Sequence, residues 1–228
     1  MKENRLIIFD FFGVLGGELS PKWFSHHFTD EKAKELKDKY FIPADNGEYT
    51  IEETIMHMAN DLGYEYDDIL NEFKSNIMTN TELFTYINKL RKNNYVALLS
   101  NAAKGIFELF YPNINLNDYF DKVFISAYHH MQKPNFEFYN LCRDSFGVKF
   151  GSVYMIDDNL KNIKDLNQIN INGILYKNNK ELFSILDDFV KWLHFYKIYA
   201  KIILKITILN LKWGVLYGFG YFSCRNGF

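Results

Sequence analysis

Short, continuously apolar runs punctuate the chain. Leu6-Ile7-Ile8-Phe9 is bounded by Asp10 and Gly13, and similar runs recur at Tyr95 to Leu99, Lys122 to Ile125, Val153 to Ile156 and Gly173 to Tyr176. Unbroken rather than alternating apolar character marks strands buried on both faces. Helix-length segments separate the later runs: Asn135 to Phe146 closed by Gly147, Asn159 to Ile169, and Asn179 to Val190. Strand and helix alternate there, which predicts an α/β fold with a parallel sheet.

Between the first and second strands about 80 residues pass with helical signals only, far more than a crossover needs. An inserted helical subdomain is therefore expected. Thr50-Ile-Glu-Glu53 reads as a capping box opening a helix that Gly63 can close, and Asp30 to Tyr40, Asp67 to Ile77 and Thr81 to Lys92 supply further amphipathic helices. The expected organisation is a core made of residues 1–15 and 91–190, an insertion over 16–90, and a tail over 191–228.

Composition narrows the class. The 228 residues carry 26 basic against 28 acidic side chains, a net charge of −2, which gives no reason to expect nucleic acid as a partner. Aromatic residues reach 18% with only four prolines, which excludes a disordered chain. Cys142 and Cys224 are too few for a disulfide framework and too far apart in sequence for a metal pair. With no signal-peptide pattern before Asp10, a reducing, cytoplasmic setting is expected.

In open parallel sheets the carboxyl ends of strands line the ligand crevice, so polar residues there carry chemistry. Here the first run ends in Asp10-Phe11-Phe12-Gly13, the second in Ser100-Asn101, Lys133-Pro134 follows the third, and the fourth ends in Asp157-Asp158-Asn159. Taken singly, each of these is a helix cap or a solvated strand end.

Together, in this order, they resemble the haloacid dehalogenase (HAD)-like hydrolase superfamily, in its helical-capped subfamily I near the phosphatase and epoxide-hydrolase-N-terminal-like branch. The resemblance covers Arg5 to Val190. It implies a Rossmann-like core with an all-helical cap inserted after strand one, Asp10 as nucleophile, and Ser100 and Lys133 as catalytic and substrate-binding groups, assisted by Asn101. It further implies Mg²⁺ held by Asp10, the Phe12 backbone carbonyl and Asp158, with Asp157 as a second or outer ligand. Asn162, where the family often has another acidic residue, is expected to orient Lys133 or a metal-bound water. The chemistry is coherent: an aspartate can attack phosphorus and form an aspartyl phosphate, and a hard cation lets two anions meet. A small phosphorylated metabolite is the implied substrate.

Phe12 breaks the pattern, because phosphatases of this superfamily usually place a second aspartate there to protonate the leaving group. General acid–base catalysis contributes about 10²–10⁴ in rate. One reading is a phosphohydrolase that accepts good leaving groups or borrows an acid, such as Glu18 or a histidine of the insertion. Another is a 2-haloacid dehalogenase, since halide leaves without a proton. Against that reading stand the Asp157-Asp158 pair and the lack of any arginine between Arg5 and Arg91. A third is a HAD-fold binding or regulatory protein without turnover.

Other features have plainer readings. His129-His130 read as a solvated loop, His26-His27 beside Trp23, Phe24 and Phe28 as packing, and Asp30 to Lys39 as one exposed charged face. The tail is different. It holds six basic residues and no acidic one, so the rest of the chain carries −8. Lys197, Lys201, Lys205 and Lys212 fall within about 80° of one another on a helical wheel, in an otherwise apolar stretch. Such a pattern suits peripheral membrane association or self-association; a patch over its own core or a read-through end would give it too.

Overall fold

The computed structural model describes residues 2–190. Strands β1 (Arg5–Phe9), β2 (Tyr95–Ser100), β3 (Lys122–Ile125), β4 (Ser152–Asp157) and β5 (Asn172–Leu175) form one parallel sheet in the order β3-β2-β1-β4-β5. Each lies within one residue of an apolar run identified above. Continuous apolarity has its expected cause: β1 is central, and Leu6 to Phe9 are fully buried. On one face Leu6, Ile8, Ala97, Leu99 and Met155 pack with Phe138, Tyr139 and Cys142.

The helices are α1 (Ser20–His27), α2 (Asp30–Asp45), α3 (Ile51–Leu62), α4 (Tyr66–Ser75), α5 (Thr81–Leu90), α6 (Ile106–Phe110), α7 (Ser126–His129), α8 (Phe136–Asp144) and α9 (Leu160–Ile163), with a further helical run over 179–190. Thr50 forms the expected capping box with Glu53, and Asn135 caps α8 by accepting from the Glu137 N–H. Two expectations change, and one helix is new. Helix α2 runs on to Asp45 through Pro43, because a proline this near the C-terminal end removes only one hydrogen bond of the last turns. The segment from Asn159 to Ile169 breaks into α9 and a 3₁₀ turn at Leu166–Ile169. Helix α1, opened by Pro21 in its first turn, was not legible, since proline there reads as a breaker although it suits that position.

Helices α1 to α4 pack on one another. Trp23 meets Phe24, Tyr64 and Phe73 edge-on, and Phe41 lies against Phe24 and Phe73. His27 is held between Trp23 and Tyr64, with Nε2 2.8 Å from Glu72, so packing is what it does. Helix α5 turns the other way: Phe84 packs on Tyr119 and Tyr86 stacks on Phe183. Met1–Leu186 form one compact unit and Asp187–Phe228 a second. The tail pattern over 191–228 lies outside the described residues, among which no helix is long and apolar enough to cross a membrane.

Candidate active site

The sheet order places β2 and β4 on either side of β1, and the chain reaches them by opposite excursions, a topological switch that opens a crevice at the strands' carboxyl ends. Asp10, Ser100 and Asp157 stand at those three ends. The loop after β3 brings Lys133 among them, through a cis peptide bond to Pro134.

Lys133 is the hub. Its ammonium lies 2.8 Å from Asp10 Oδ1 and 2.6 Å from Asp157 Oδ2, and its side chain is 1% exposed. Burial lowers the pKa of the ammonium, but the two carboxylates outweigh that and hold it above the ordinary lysine value. For Asp10, burial dominates and pushes the carboxyl well above the usual range, with Lys133 opposing and Asp157 adding. An Asp10 anion is thus costly here without positive charge beyond Lys133.

Hydrogen bonding separates the carboxylates by role. Asp157 is fully buried, and both oxygens are committed: Oδ1 accepts from the Asn159 N–H and from Asn162 Nδ2, while Oδ2 accepts from Lys133 and from Asn162 Nδ2. Asn162 thereby orients Asp157 rather than Lys133 directly. Asp10 Oδ1 accepts from the Phe11 N–H and faces Lys133, whereas Oδ2 has no protein donor among the described residues. Asp158 is the exposed member, and ligand atoms of Asp10, Asp157 and Asp158 lie within 4.8 Å of one another. Gly13 makes room for it: its φ is +78°, and a Cβ there would collide with the Asp158 carboxylate. The Phe12 carbonyl accepts no hydrogen bond among the described residues. The second Asp10 oxygen, the exposed Asp158 carboxylate and the Phe12 carbonyl are hard oxygen donors of the kind a divalent cation such as Mg²⁺ takes.

Ser100 is fully buried, and its Oγ has no hydrogen-bond partner among the described residues. A buried hydroxyl left unpaired costs stability unless a ligand satisfies it. Asn101 differs from expectation: its carboxamide clamps the Lys133 backbone, accepting from the N–H at 2.8 Å and donating to the C=O at 3.0 Å. It therefore positions Lys133, with one carboxamide hydrogen uncommitted at the cavity that Asn101 also lines.

A cavity of about 440 Å³ opens on these groups, lined by Asp10, Phe12, Asn101, Lys133, Asp158 and Asn162 from the strand ends and by Glu18, Lys37, Asp38, Phe41 and Asp45 from the insertion. The charged stretch of α2 is therefore not simply a solvated face: Lys37, Phe41 and Asp45 recur at i, i+4 and i+8 and meet the cavity on one side of the helix. That spacing was the available signal, masked by the surrounding charge. None of His26, His27, His129 or His130 lines this cavity.

The curated relative "Drimenol cyclase drtB" of Aspergillus calidoustus is 23% identical over 145 residues, 60% of this chain and 28% of that protein, so the chain matches under a third of that protein's length. Among solved structures, a HAD-family enzyme from Bacteroides thetaiotaomicron in complex with magnesium and inorganic phosphate superposes with a TM-score of 0.63 at 22% identity, over 78% of this chain and 98% of that one. A predicted HAD-like hydrolase from Porphyromonas gingivalis gives 0.62 at 22%, over 77% and 92%. L-2-haloacid dehalogenase from Xanthobacter autotrophicus gives 0.53 at 17%, over 79% and 80%. The model of the haloacid dehalogenase-like hydrolase family matches residues 7–175. With that match, the parallel sheet and the acidic cluster at its carboxyl edge, the chain belongs to the haloacid dehalogenase-like hydrolases.

Proposed function

We propose that the chain is a Mg²⁺-dependent phosphomonoester hydrolase in which Asp10 is the nucleophile. The observation that carries this reading is the buried Lys133 bridging Asp10 and Asp157 beside an uncommitted Asp10 oxygen. Asp10 Oδ2 attacks phosphorus, the ester oxygen departs, and water then hydrolyses the aspartyl phosphate. Lys133 and the Ser100 hydroxyl donate to phosphoryl oxygens whose charge grows in the transition state. Asp10, Asp158 and the Phe12 carbonyl would hold the cation, which would supply positive charge where two anions meet. Asp157, committed to Lys133 and Asn162, sets the geometry. Helices α1 to α4 act as the helical cap and choose a small phosphorylated substrate. The magnesium and phosphate in the Bacteroides enzyme support the reading.

A panel of phosphoesters assayed with Mg²⁺, beside Asp10→Asn, tests it. Phosphate release that depends on both Asp10 and Mg²⁺ is expected; release that survives Asp10→Asn would overturn the nucleophile assignment. Phe12 favours a second reading, dehalogenation, since an aromatic ring there cannot protonate and halide needs no proton. The Asp157-Asp158 pair and the absence of arginine over 16–90 argue against it. Halide release from 2-haloacids without phosphate release would establish it. Inactivity in both assays would leave a binding role.

A further inference from the structure

We propose that Asp45 donates the leaving-group proton that Phe12 cannot, a role that rests on the phosphohydrolase reading above. The Phe12 ring packs among Phe11, Phe107 and Tyr111, at centroid distances of 5.1, 6.0 and 6.3 Å, and offers no proton. Beyond the metal cluster, three carboxyl groups line the cavity: Glu18, Asp38 and Asp45.

Asp45 is the one fastened to the catalytic loop. The C-terminal end of α2 is tied down by three hydrogen bonds from the core: Gln132 Nε2 donates to the Ile42 carbonyl at 2.6 Å, the His130 ring lies 2.8 Å from the Asn46 carbonyl, and Lys104 Nζ donates to the Gly47 carbonyl at 3.0 Å. Gly47, at φ +84°, sits so close to Ala127 that a Cβ would run into its carbonyl oxygen. Gln132 immediately precedes Lys133. The segment that delivers Lys133 to Asp10 therefore also fixes the last turn of α2 at the cavity, and Asp45 with it.

The charges facing Asp45 are Lys37 on its own helix, Lys133 from the core loop and Glu18 from the loop after β1. Asp38 on α2 also lines the cavity, and His130 and Lys104 from the core lie against the chain just past the helix. The Asp45 carboxyl makes no hydrogen bond or ion pair among the described residues. Burial pushes it up to about 7, against the two lysines and with Glu18 adding. An acid matched to neutral pH is what proton transfer to an alkoxide requires. Glu18 is raised by burial too, with Lys37 and Lys133 opposing and Asp158 and Asp157 adding, so it is the acid that substitution must separate from Asp45.

The step balances. As Asp10 Oδ2 forms its bond to phosphorus, the bond from phosphorus to the ester oxygen breaks, and that oxygen takes the Asp45 proton to leave as an alcohol. Asp45, now a carboxylate, accepts a proton from the water that attacks the aspartyl phosphate. Inorganic phosphate leaves, and both residues return to their starting states.

The test compares p-nitrophenyl phosphate, whose phenolate leaves without help, with glycerol phosphate, whose alkoxide does not. Wild type, Asp45→Asn, Asp45→Glu, Glu18→Gln and the double variant Phe12→Asp/Asp45→Asn are assayed across pH, with circular dichroism to establish folding. For Asp45→Asn, kcat on the alkyl ester should fall by about 10²-fold or more, with a far smaller fall on the aryl ester. The loss of alkyl-ester turnover as wild type is taken above neutral pH should vanish. Asp45→Glu and Phe12→Asp/Asp45→Asn should recover part of the alkyl-ester rate. Equal losses on both esters, an unchanged pH profile, a selective loss in Glu18→Gln instead, or a wild type that cleaves only the aryl ester would each overturn the assignment of Asp45 while leaving Asp10 as nucleophile. No Asp10-dependent turnover of either ester would instead overturn the reading on which it rests.

Discussion

Lys133→Met replaces the buried ammonium with an apolar chain of similar length and leaves Asp10 and Asp157 facing each other without a cation. At an effective dielectric near 20, unit charges at 2.8 and 2.6 Å attract by about 6 kcal/mol each. Desolvating the ammonium takes back several kcal/mol, and removing one partner from such a buried group costs about 3–5 kcal/mol net. With a urea dependence of about 2 kcal/mol per M, the unfolding midpoint should fall by roughly 2 M at neutral pH. The loss should shrink in acid. Asp10 already has a raised folded-state pKa, and removing Lys133 raises it further. A folded state that holds a proton which the unfolded chain releases near pH 4 loses stability as pH rises through the folded value. The deficit is then largest above that value and smallest near pH 4. Urea titrations of wild type and variant at several pH values measure it. An unchanged midpoint at neutral pH, or a deficit independent of pH, would refute the claim that Lys133 offsets two buried carboxylates.

Other substitutions separate stability from chemistry. Ser100→Ala should leave stability unchanged or raise it by about 1 kcal/mol, because it removes a buried hydroxyl that has no partner among the described residues, while turnover falls. Gly13→Ala should cost about 1–3 kcal/mol through strain at positive φ, and calorimetric titration should show weaker Mg²⁺ binding because Asp158 is displaced. Asn162→Leu removes both side-chain bonds to Asp157 and should cost about 1–3 kcal/mol by chemical denaturation. In wild type the stabilisation by Lys133, whose pKa is raised, should be complete below the unfolded lysine value and lost as pH climbs through the folded one; chemical denaturation across the alkaline range follows it.

The sheet was readable because strands buried on both faces must be apolar throughout, and the five runs leave little choice. That Asp10, Ser100 and Asp157 stand together was readable because each closes an apolar run at the carboxyl edge of the sheet; Lys133, eight residues beyond β3, entered through the order of motifs that the resemblance implies. What sequence could not supply is which polar atoms are already committed. Asn101 looks like a substrate-binding group in the sequence and Asn162 like an orienter of Lys133 or of a metal-bound water, but Asn101 is engaged by the Lys133 backbone and the Asn162 amide nitrogen by both Asp157 oxygens. Asp45 was hidden for the opposite reason: it lies beyond a proline that normally ends a helix, in a helix opened by a charged run. Its place in the cavity depends on contacts of the neighbouring backbone with residues 57, 84 and 90 positions away, which no local pattern encodes.

The central claim is covalent catalysis by Asp10. A rapid acid quench during turnover of a phosphoester with Mg²⁺, followed by peptide mass mapping, should find one phosphoryl group on the peptide that carries Asp10, and none in Asp10→Asn. Phosphate release without that adduct, continuing in the Asp10→Asn protein, would contradict it.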